Sequence, residues 1–363
     1  MKRRNSFLTI LLAAVMLAGL SGCGGDKTKR LILLTNGDDP FWDAMRSGME
    51  KGAEDFDLKS VDLRVEMDKN DGTAKGQIDK LKQYAGQTDI AAVAISVTDA
   101  ESSALAKAMT ELKKQGVHVI TIDSDINREK YGDSRFAYLG TDNIIGGRQL
   151  GKAAKGLRPE GGKYAEFYGL SAAANVIERT AGFAEGGGSE FEKKVGMSDD
   201  MDLTKAQENV RNALQNHADI DTLVGIWAYN AHAIVEVVKE QNVREKMKIV
   251  VFDAAPKAID HMADGNIDAM VVQNPYQMGY EGTKLMKALV GKDEAAIQKM
   301  FPDIDPATGK PKKEGGDIYI TELRVVVPNA ESPIKKEMFD EDVQFFTHKE
   351  FKAWLDERGL TGS

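Results

Sequence analysis

The chain has 363 residues, which is too long for one ordinary hydrophobic core and favours two domains. Its 42% hydrophobic and 29% charged residues exclude a disordered chain and a protein with many membrane spans. The 57 acidic residues outnumber the 48 basic ones, which argues against nucleic acid as a partner, and the single cysteine excludes an intrachain disulfide.

The first predicted element is a secretory signal. Three basic residues precede an apolar run at 7–20 that is too short for a comfortable membrane-spanning helix. The sequence Leu20-Ser21-Gly22-Cys23 then resembles a bacterial lipoprotein signal, in which the cysteine becomes the lipid-bearing first residue. An ordinary signal peptide with a chance cysteine is the alternative. We therefore expect a signal peptide at 1–22, a lipidated tether at 23–29, and an extracytoplasmic protein anchored to the membrane by lipid on Cys23.

The rest of the chain alternates short apolar runs with amphipathic stretches. The apolar runs predict strands at 31–35, 61–67, 91–96, 117–123, 136–139, 162–168, 222–226, 248–253, 269–273 and 319–327. The amphipathic stretches predict helices at 41–55, 73–84, 100–115, 144–154, 175–186, 203–215, 231–240 and 276–290. This alternation predicts an α/β protein with parallel sheets covered on both faces, and ten strands suit two sheets better than one.

Two segments near the C-terminus do not follow this alternation. Residues 291–316 are rich in Lys, Asp, Pro and Gly and predict an irregular insertion. The tail at 328–363 predicts one short amphipathic helix near 351–357, packed back on the surface and without a role in chemistry.

Polar and aromatic residues follow six of the predicted strands. Open parallel sheets bind ligands beyond the carboxyl ends of their strands, so these residues are the ones that predict a site. They lie at 36–42, 96–99, 123–125, 227–230, 253–256 and 273–276. We interpret this set as the site of a small polar ligand.

The strand ends resemble those of the ribose-binding type of periplasmic sugar-binding proteins, over about 31–327. The motifs that carry the resemblance are Asp39-Pro40-Phe41-Trp42, Val119-Ile120-Thr121-Ile122-Asp123, Thr141-Asp142-Asn143-Ile144-Ile145-Gly146-Gly147, Glu178-Arg179-Thr180-Ala181-Gly182-Phe183, Asn230, Val250-Val251-Phe252-Asp253 and Gln273-Asn274-Pro275. The sequence departs from the ribose binders at Ser96, Ser124 and Met201, where an Asn, an Arg and an aromatic residue would be expected.

The resemblance implies a type I periplasmic-binding-protein-like fold, with two doubly wound parallel-sheet lobes joined by a three-strand hinge. It implies crossings between the lobes near Leu139, Gln273 and Ile318. The expected N-terminal lobe comprises 30–138 and 275–317, the C-terminal lobe comprises 139–274 and 318–328, and 329–363 form a C-terminal extension.

The candidate ligand-binding residues suit a sugar. Carboxylates accept two hydroxyl protons, guanidinium donates through a planar fork, amides do both, and aromatic faces pack against C–H groups. The candidates are Asp39, Phe41, Trp42, Ser96, Asp123, Ser124, Arg179, Asn230, Asp253 and Gln273, with Phe167, Trp227 and Tyr229 as weaker ring candidates.

Structural roles are the alternatives for these residues. Asp123 and Asp253 could cap following helices or turns, Asn230 could cap a helix, and Arg179 could be a solvated surface charge. Phe41 and Trp42 could belong to the core, and Gln273 could serve the hinge alone.

The predicted function is an extracytoplasmic solute-binding lipoprotein that captures a monosaccharide or similar polyol for an ATP-binding-cassette importer. The importer permease is implied by the resemblance. A ligand sensor that docks on a membrane receptor and a secreted sugar-processing enzyme are the alternatives. The five histidines show no metal-ligand spacing, so we expect no metal. We also expect no cofactor, no catalysis and a monomer.

Overall fold

The computed structural model describes residues 28–305 and 308–363. The predicted signal peptide at 1–22 and Cys23 lie outside these residues. No helix in the described ranges combines the length and the apolar character needed to cross a membrane.

Fifteen strands are found in the described residues. They are β1 (Lys29–Leu34), β2 (Leu63–Asp68), β3 (Ile90–Ile95), β4 (His118–Ile122), β5 (Tyr138–Gly140), β6 (Gly162–Tyr168), β7 (Phe191–Ser198), β8 (Thr222–Gly225), β9 (Lys248–Phe252), β10 (Ala269–Val272), β11 (Ile304–Asp305), β12 (Lys310–Pro311), β13 (Ile318–Ile320), β14 (Arg324–Val327) and β15 (Gln344–Thr347).

Twelve α-helices accompany them in the same ranges. They are α1 (Phe41–Asp55), α2 (Ala74–Ala85), α3 (Ser103–Lys114), α4 (Arg128–Tyr131), α5 (Asn143–Leu157), α6 (Ala174–Gly187), α7 (Leu203–Asn216), α8 (Asn230–Glu240), α9 (Pro256–Ala263), α10 (Pro275–Gly291), α11 (Glu294–Met300) and α12 (His348–Asp356).

The strands form two large sheets, one in each lobe. The first sheet has the order β13-β5-β4-β3-β1-β2 and is parallel throughout. The second has the order β15-β14-β10-β9-β8-β6-β7 and is parallel from β10 to β7, whereas β14 runs antiparallel to β10. Apolar side chains are buried on both faces of each sheet, as parallel sheets covered by helices require.

The chain passes between the two sheets at three places within the described residues. The segments after β5 and β10 lead into α5 and α10, whose first turns are capped by Asp142 and Asn274. The third crossing lies between β13 and β14 at 321–323, a few residues after the expected position near Ile318. The predicted strand at 319–327 is in fact two strands, because 318–320 pair with β5 of the first sheet.

Several elements lack a strong apolar pattern and were not predicted. The edge strand β7 exposes or half-exposes most of its residues, so no apolar run marks it. The expected irregular insertion contains α11 and the β11–β12 hairpin, and it buries Ile297, Phe301 and Ile304 in the first lobe.

The C-terminal tail is an integral part of the second lobe. The expected surface helix is α12, and the preceding β15 adds a parallel strand beside β14. Phe351 and Leu355 of this helix are fully buried in the core of the second lobe. The segment beyond 328 therefore extends the sheet and its core.

Candidate functional site

A cleft between the two lobes lies at the carboxyl ends of the parallel strands. The space between its lining atoms, including the part open to solvent, amounts to about 330 Å³. Three carboxylates, three amides, one guanidinium, three aromatic rings, a methionine and an alanine line it. They are Asn36, Asp39, Phe41, Trp42, Asp123, Asn175, Arg179, Met201, Trp227, Ala228, Asp253 and Gln273.

Seven of the ten sequence-predicted residues line this cleft. They are Asp39, Phe41, Trp42, Asp123, Arg179, Asp253 and Gln273. The other three, Ser96, Ser124 and Asn230, are buried behind the lining side chains. The order of the strands thus gathers groups that are more than 200 positions apart in the sequence.

Asp123 and Asp253 occupy matching positions in the two lobes. Asp123 directly follows β4, and Asp253 directly follows β9. Each of these strands lies beside a strand that leads to a crossing between the lobes, which is β5 in the first sheet and β10 in the second. Each has a φ of 64°, in the left-handed region that non-glycine residues adopt uncommonly. Neither side chain caps a helix, which excludes the helix-capping alternative. The shared backbone turn presents the two carboxylates to the cleft from opposite sides.

Asp253 is held by Gln273, its neighbour from the second crossing. The backbone N–H of Gln273 donates to Asp253 Oδ1 at 3.1 Å, and its side-chain Nε2 donates to Oδ2 at 2.9 Å. Gln273 Oε1 is buried and has no partner among the described residues. This leaves an acceptor on the cleft wall next to a fixed carboxylate, a suitable pair for hydroxyl donors.

Arg179 is buried, with 1% of its surface exposed, which excludes the solvated-charge alternative. Its Nε donates to Asn143 Oδ1 at 2.9 Å and its Nη1 to the carbonyl of Ile226 at 3.0 Å. The guanidinium carbon lies 3.9 Å from the centre of the Phe252 ring. Arg179 Nη2 has no partner in the described structure and supplies a donor to the cleft.

Burial shifts the pKa values of the ionisable side chains in the cleft. Burial raises the pKa of Asp39 to about 6 and the pKa of Asp253 to about 7, and it also raises the pKa of Asp123. Arg179 opposes the shift at Asp123 and Asp253, while burial lowers the pKa of Arg179 itself. Three carboxylates around one guanidinium therefore form an acceptor-rich surface, in which hydroxyl donors would favour the ionised carboxylates.

Neither Ser96 nor Ser124 lines the cleft. Ser96 Oγ donates to Asp123 Oδ2 at 2.8 Å and holds that carboxylate in place. Ser124 is fully buried, and its carbonyl accepts from the backbone N–H of Val97 at 3.0 Å. Both serines thus support the loop that carries Asp123 and do not face the cleft.

Asn230 supports the opposite wall. Its Oδ1 accepts from the backbone N–H of Trp227 at 3.0 Å, and its Nδ2 donates to Asp199 Oδ2 at 2.9 Å. Asp199 also accepts from the Tyr229 hydroxyl and from the backbone N–H of Met201, the latter at 2.9 Å. Asn230 and Tyr229 therefore fix the loops that carry Trp227 and Met201.

Three aromatic rings reach the cleft. Phe41 and Trp42 begin α1 and meet edge to face, with ring centres 5.1 Å apart. Trp227 lies on the other lobe, where its Nε1 donates to Asn175 Oδ1 at 3.3 Å. Of the weaker candidates, Phe167 packs in the core of the second lobe instead. The rings that line the cleft suit the C–H faces of a pyranose or furanose.

Asn36, Asn175, Met201 and Ala228 line the cleft but were not among the candidates, whereas Trp227 was a weaker ring candidate. Asn175 lies four residues before Arg179 on α6, so helical spacing places it on the same face and could have identified it. Met201 has no such signal, because its φ of 66° and its loop are set by Asp199. A long apolar side chain there fills a position for which an aromatic residue was expected.

Met201 also closes the cleft. A Cβ atom at Gly37 of the first lobe would lie 2.1 Å from Met201 Cε, so the methionine packs directly on that glycine. A backbone hydrogen bond joins the lobes nearby, from Ala100 N–H to the carbonyl of Ala172 at 3.0 Å. These contacts identify the structure as a closed arrangement of the lobes.

Glycines let α6 approach α5 closely enough to place Arg179. A Cβ atom at Gly147 would lie 2.2 Å from the carbonyl oxygen of Arg179. We expect Gly147→Ala to lower the free energy of unfolding by about 2–3 kcal/mol, because the clash is with backbone and forces the helices apart. Chemical denaturation of the variant and the wild type measures this.

Gly156→Ala is the matched control on the same helix. A Cβ atom there would lie 3.0 Å from Met338 Sδ and 3.3 Å from Ile334 Cγ1, so its closest contacts are with side chains and not with backbone as at Gly147. The control should be close to neutral, since alanine favours the helix. Equal destabilisation by both substitutions would contradict close packing at Gly147.

A second cluster of titratable groups lies on the outer face of the second lobe. His232, Glu236 and His261 lie close together, although their sequence spacing did not indicate a metal site. The histidine nitrogens Nδ1 of His232 and Nε2 of His261 are 2.9 Å apart, and Lys257 Nζ lies 3.2 Å from the other nitrogen of His232. The two imidazole rings are thus hydrogen-bonded to each other, next to the ammonium group of Lys257.

Residues 31–294 match the family described as "Periplasmic binding protein domain". The ribose import binding protein of Bacillus subtilis (strain 168) is 27% identical over 246 residues, covering 68% of this chain and 76% of that protein. The D-allose-binding periplasmic protein of Escherichia coli (strain K12) is 26% identical over 295 residues, covering 79% and 91% respectively.

Solved structures show the same fold. A glucose-galactose binding protein from Geobacillus stearothermophilus has a TM-score of 0.67 and 23% identity, covering 83% of this chain and 97% of that chain. An ABC transporter solute binding protein from Burkholderia graminis, in complex with D-arabinose, has a TM-score of 0.70 and 19% identity, covering 86% and 99%. The predicted α/β fold with two doubly wound lobes is confirmed.

Proposed function

Because the chain belongs to the periplasmic binding protein domain family, we propose that it captures a monosaccharide or similar polyol in the cleft and delivers it to an ATP-binding-cassette importer. The observation that carries the proposal is the lining of the cleft, where paired carboxylates and amides face three aromatic rings. The relatives named for ribose and D-allose binding support the same class of ligand.

The ligand-binding residues that we propose are the seven candidates that line the cleft. Asp39, Asp123 and Asp253 accept hydrogen bonds from hydroxyl groups, Arg179 donates, and Gln273 accepts through Oε1. Phe41 and Trp42 cover a ring face. Ser96, Ser124 and Asn230 act indirectly by holding Asp123, its loop and Trp227.

The mechanism follows from the closed arrangement. Arg179 belongs to the second lobe and Asp123 to the first, so a bound molecule that contacts both stabilises closure. An open form would hydrate the same groups and relieve the raised pKa values of Asp39 and Asp253. A ligand that binds the closed form better shifts the population toward it and presents that form to a permease.

The lipoprotein signal and the family support an extracytoplasmic location with the lipid on Cys23 as the membrane anchor. We propose that 1–22 are removed, that 23–29 tether the lobes, and that the binding unit acts as a monomer without cofactor or metal. Its role is binding and transfer, and not catalysis.

A thermal-shift screen tests the proposed ligand class. Pentoses, hexoses and polyols, including D-ribose, D-allose, D-glucose, D-galactose and D-arabinose, are each added to the purified protein. A monosaccharide at about 100 times its Kd should stabilise the protein by about 2.7 kcal/mol, because it binds only the folded state. A shift with an amino acid or a nucleoside, and with no polyol, would overturn the proposal.

A further inference from the structure

The C-terminal extension, residues 329–363, reaches the support of the cleft. Its strand β15 pairs with β14 from Arg324↔Gln344 to Val327↔Thr347, beside the third crossing. Gln344 Nε2 also donates to Glu322 Oε2 at 3.1 Å, which ties the extension to the crossing itself. The extension is thus attached to a segment that links the two lobes.

Arg324 connects the extension to a cleft residue. Its Nη1 donates to the backbone carbonyl of Gln273 at 3.1 Å, and Gln273 in turn holds Asp253. The guanidinium carbon of Arg324 lies 4.0 Å from the centre of the Trp354 ring of α12. Arg324 is 1% exposed, so the ring face replaces water around a buried cation.

Trp354 contacts a second arginine as well. The guanidinium carbon of Arg358 lies 4.2 Å from the same ring centre, so two guanidinium groups pack against this one ring. The Arg324 side chain has a nearby acidic alternative, since Glu322 Oε2 lies 3.6 Å from its Nη2 at a half-exposed position. Without the ring, the guanidinium could turn toward Glu322 and release the carbonyl of Gln273.

A second contact from the extension reaches the residue next to Asp253. Ser363 N–H donates to the carbonyl of Ala254 at 3.0 Å, and Ala254 N–H donates to the carbonyl of Ser363 at 3.4 Å. Ala254 directly follows Asp253, whose backbone adopts the left-handed turn. The extension therefore supports the backbone on both sides of the Asp253–Gln273 contact. It supports Gln273 indirectly, because Trp354 packs on Arg324, and it bonds directly to Ala254, next to Asp253.

We propose that Trp354 and Arg324 are positioning residues that set sugar affinity by holding Gln273 against Asp253, with the C-terminal extension as their support. The inference rests on the proposed function only for its affinity readout. It gives residues beyond the matched span of 31–294 a role in the binding site. Neither Trp354 nor Arg324 lines the cleft, so their action is through Gln273.

The test compares Trp354→Leu with two matched variants of the full chain. Trp354→Phe keeps a ring face for Arg324, whereas Leu355→Ala removes a fully buried neighbour that packs in the core of the second lobe. Hydrogen–deuterium exchange of the peptide 269–274, relative to the peptide 222–226 in the same sheet, reports the Gln273 amide that donates to Asp253. Calorimetric titration with D-ribose and D-allose reports affinity.

We expect Trp354→Leu to speed exchange of 269–274 relative to 222–226 and to weaken the sugar that binds by about fivefold. Trp354→Phe should retain both values, and Leu355→Ala should lower Tm while leaving both unchanged. Unchanged exchange in Trp354→Leu, or equal changes in Leu355→Ala, would overturn the inference. If wild type binds neither sugar, the exchange ratio still decides the positioning role, and the proposed ligand class fails separately.

Discussion

Replacing Asp253 with alanine should abolish monosaccharide binding while the protein remains folded. Asp253 is 2% exposed, its carboxylate lines the cleft, and Gln273 fixes its orientation. Hydrogen bonds to a charged group contribute about 1.5–3 kcal/mol each, so losing two of them should weaken binding by about 100-fold or more. Titration calorimetry with the sugar found by the screen measures the loss, and circular dichroism checks the fold.

Asp253→Asn is the sharper control because it keeps the shape and removes the charge. The raised pKa of about 7, against an ordinary value of 3.8, means that the unfolded chain binds fewer protons than the folded protein between these pH values. Unfolding free energy therefore falls as pH rises from about 4 to about 7 and then levels. The asparagine variant should lack the contribution of Asp253 to this fall, so its fall is smaller, because the raised pKa values of Asp39 and Asp123 still act in the same direction. It should be more stable than wild type at pH 8, yet bind sugar poorly.

The two readouts separate a binding role from a structural one. A variant that is more stable and still binds weakly shows that the carboxylate is retained for the ligand at a cost in stability. Retention of wild-type affinity in both Asp253 variants would mean that the ligand binds elsewhere. A pH profile of stability identical to that of wild type would mean that Asp253 is ionised in the ligand-free protein.

The sequence was sufficient for the layered fold because its signal is periodic. Helix α1 occupies 41–55 as predicted, since Phe41, Met45 and Met49 recur at helical spacing and are buried. Strand-end polarity likewise indicated Asp123 and Asp253, because parallel strands end at one edge of a sheet. These parts of the structure depend on local patterns that a single chain displays.

The remaining parts depend on contacts that a linear pattern does not encode. Asn230 has the right residue type at the right strand end, but its amide is taken by Asp199 and by the backbone of Trp227. The third crossing lies later in the chain than predicted because 318–320 pair with β5, about 180 residues away in the sequence. The packing of the C-terminal extension was not predicted, because the contact between Trp354 and Arg324 depends on the pairing of β15 with β14 in the second sheet.

Arg179→Met should weaken sugar binding and change how stability depends on pH. Methionine can keep contact with the Phe252 ring but removes the positive charge. In the wild type, Arg179 Nη1 lies 3.9 Å from Asp253 Oδ2. Arg179 lowers the pKa of Asp123 and Asp253, so both pKa values should rise further without it. The pH range over which unfolding free energy falls should then extend above 7, because folded carboxyls keep their protons longer than unfolded ones.

The expected deficit relative to wild type is therefore larger at pH 8 than at pH 5, by about 1.4 kcal/mol for each unit of additional pKa shift. Arg179→Lys retains a positive charge and should keep a near-normal pH profile, although it lacks the planar fork that bonds Asn143 and Ile226. In the double variant with Asp253→Asn, the part of the extra loss at pH 8 that comes from Asp253 should disappear, while the part that comes from Asp123 remains. An equal deficit at pH 5 and pH 8 in Arg179→Met would instead assign Arg179 a packing role, with its charge irrelevant to the cleft.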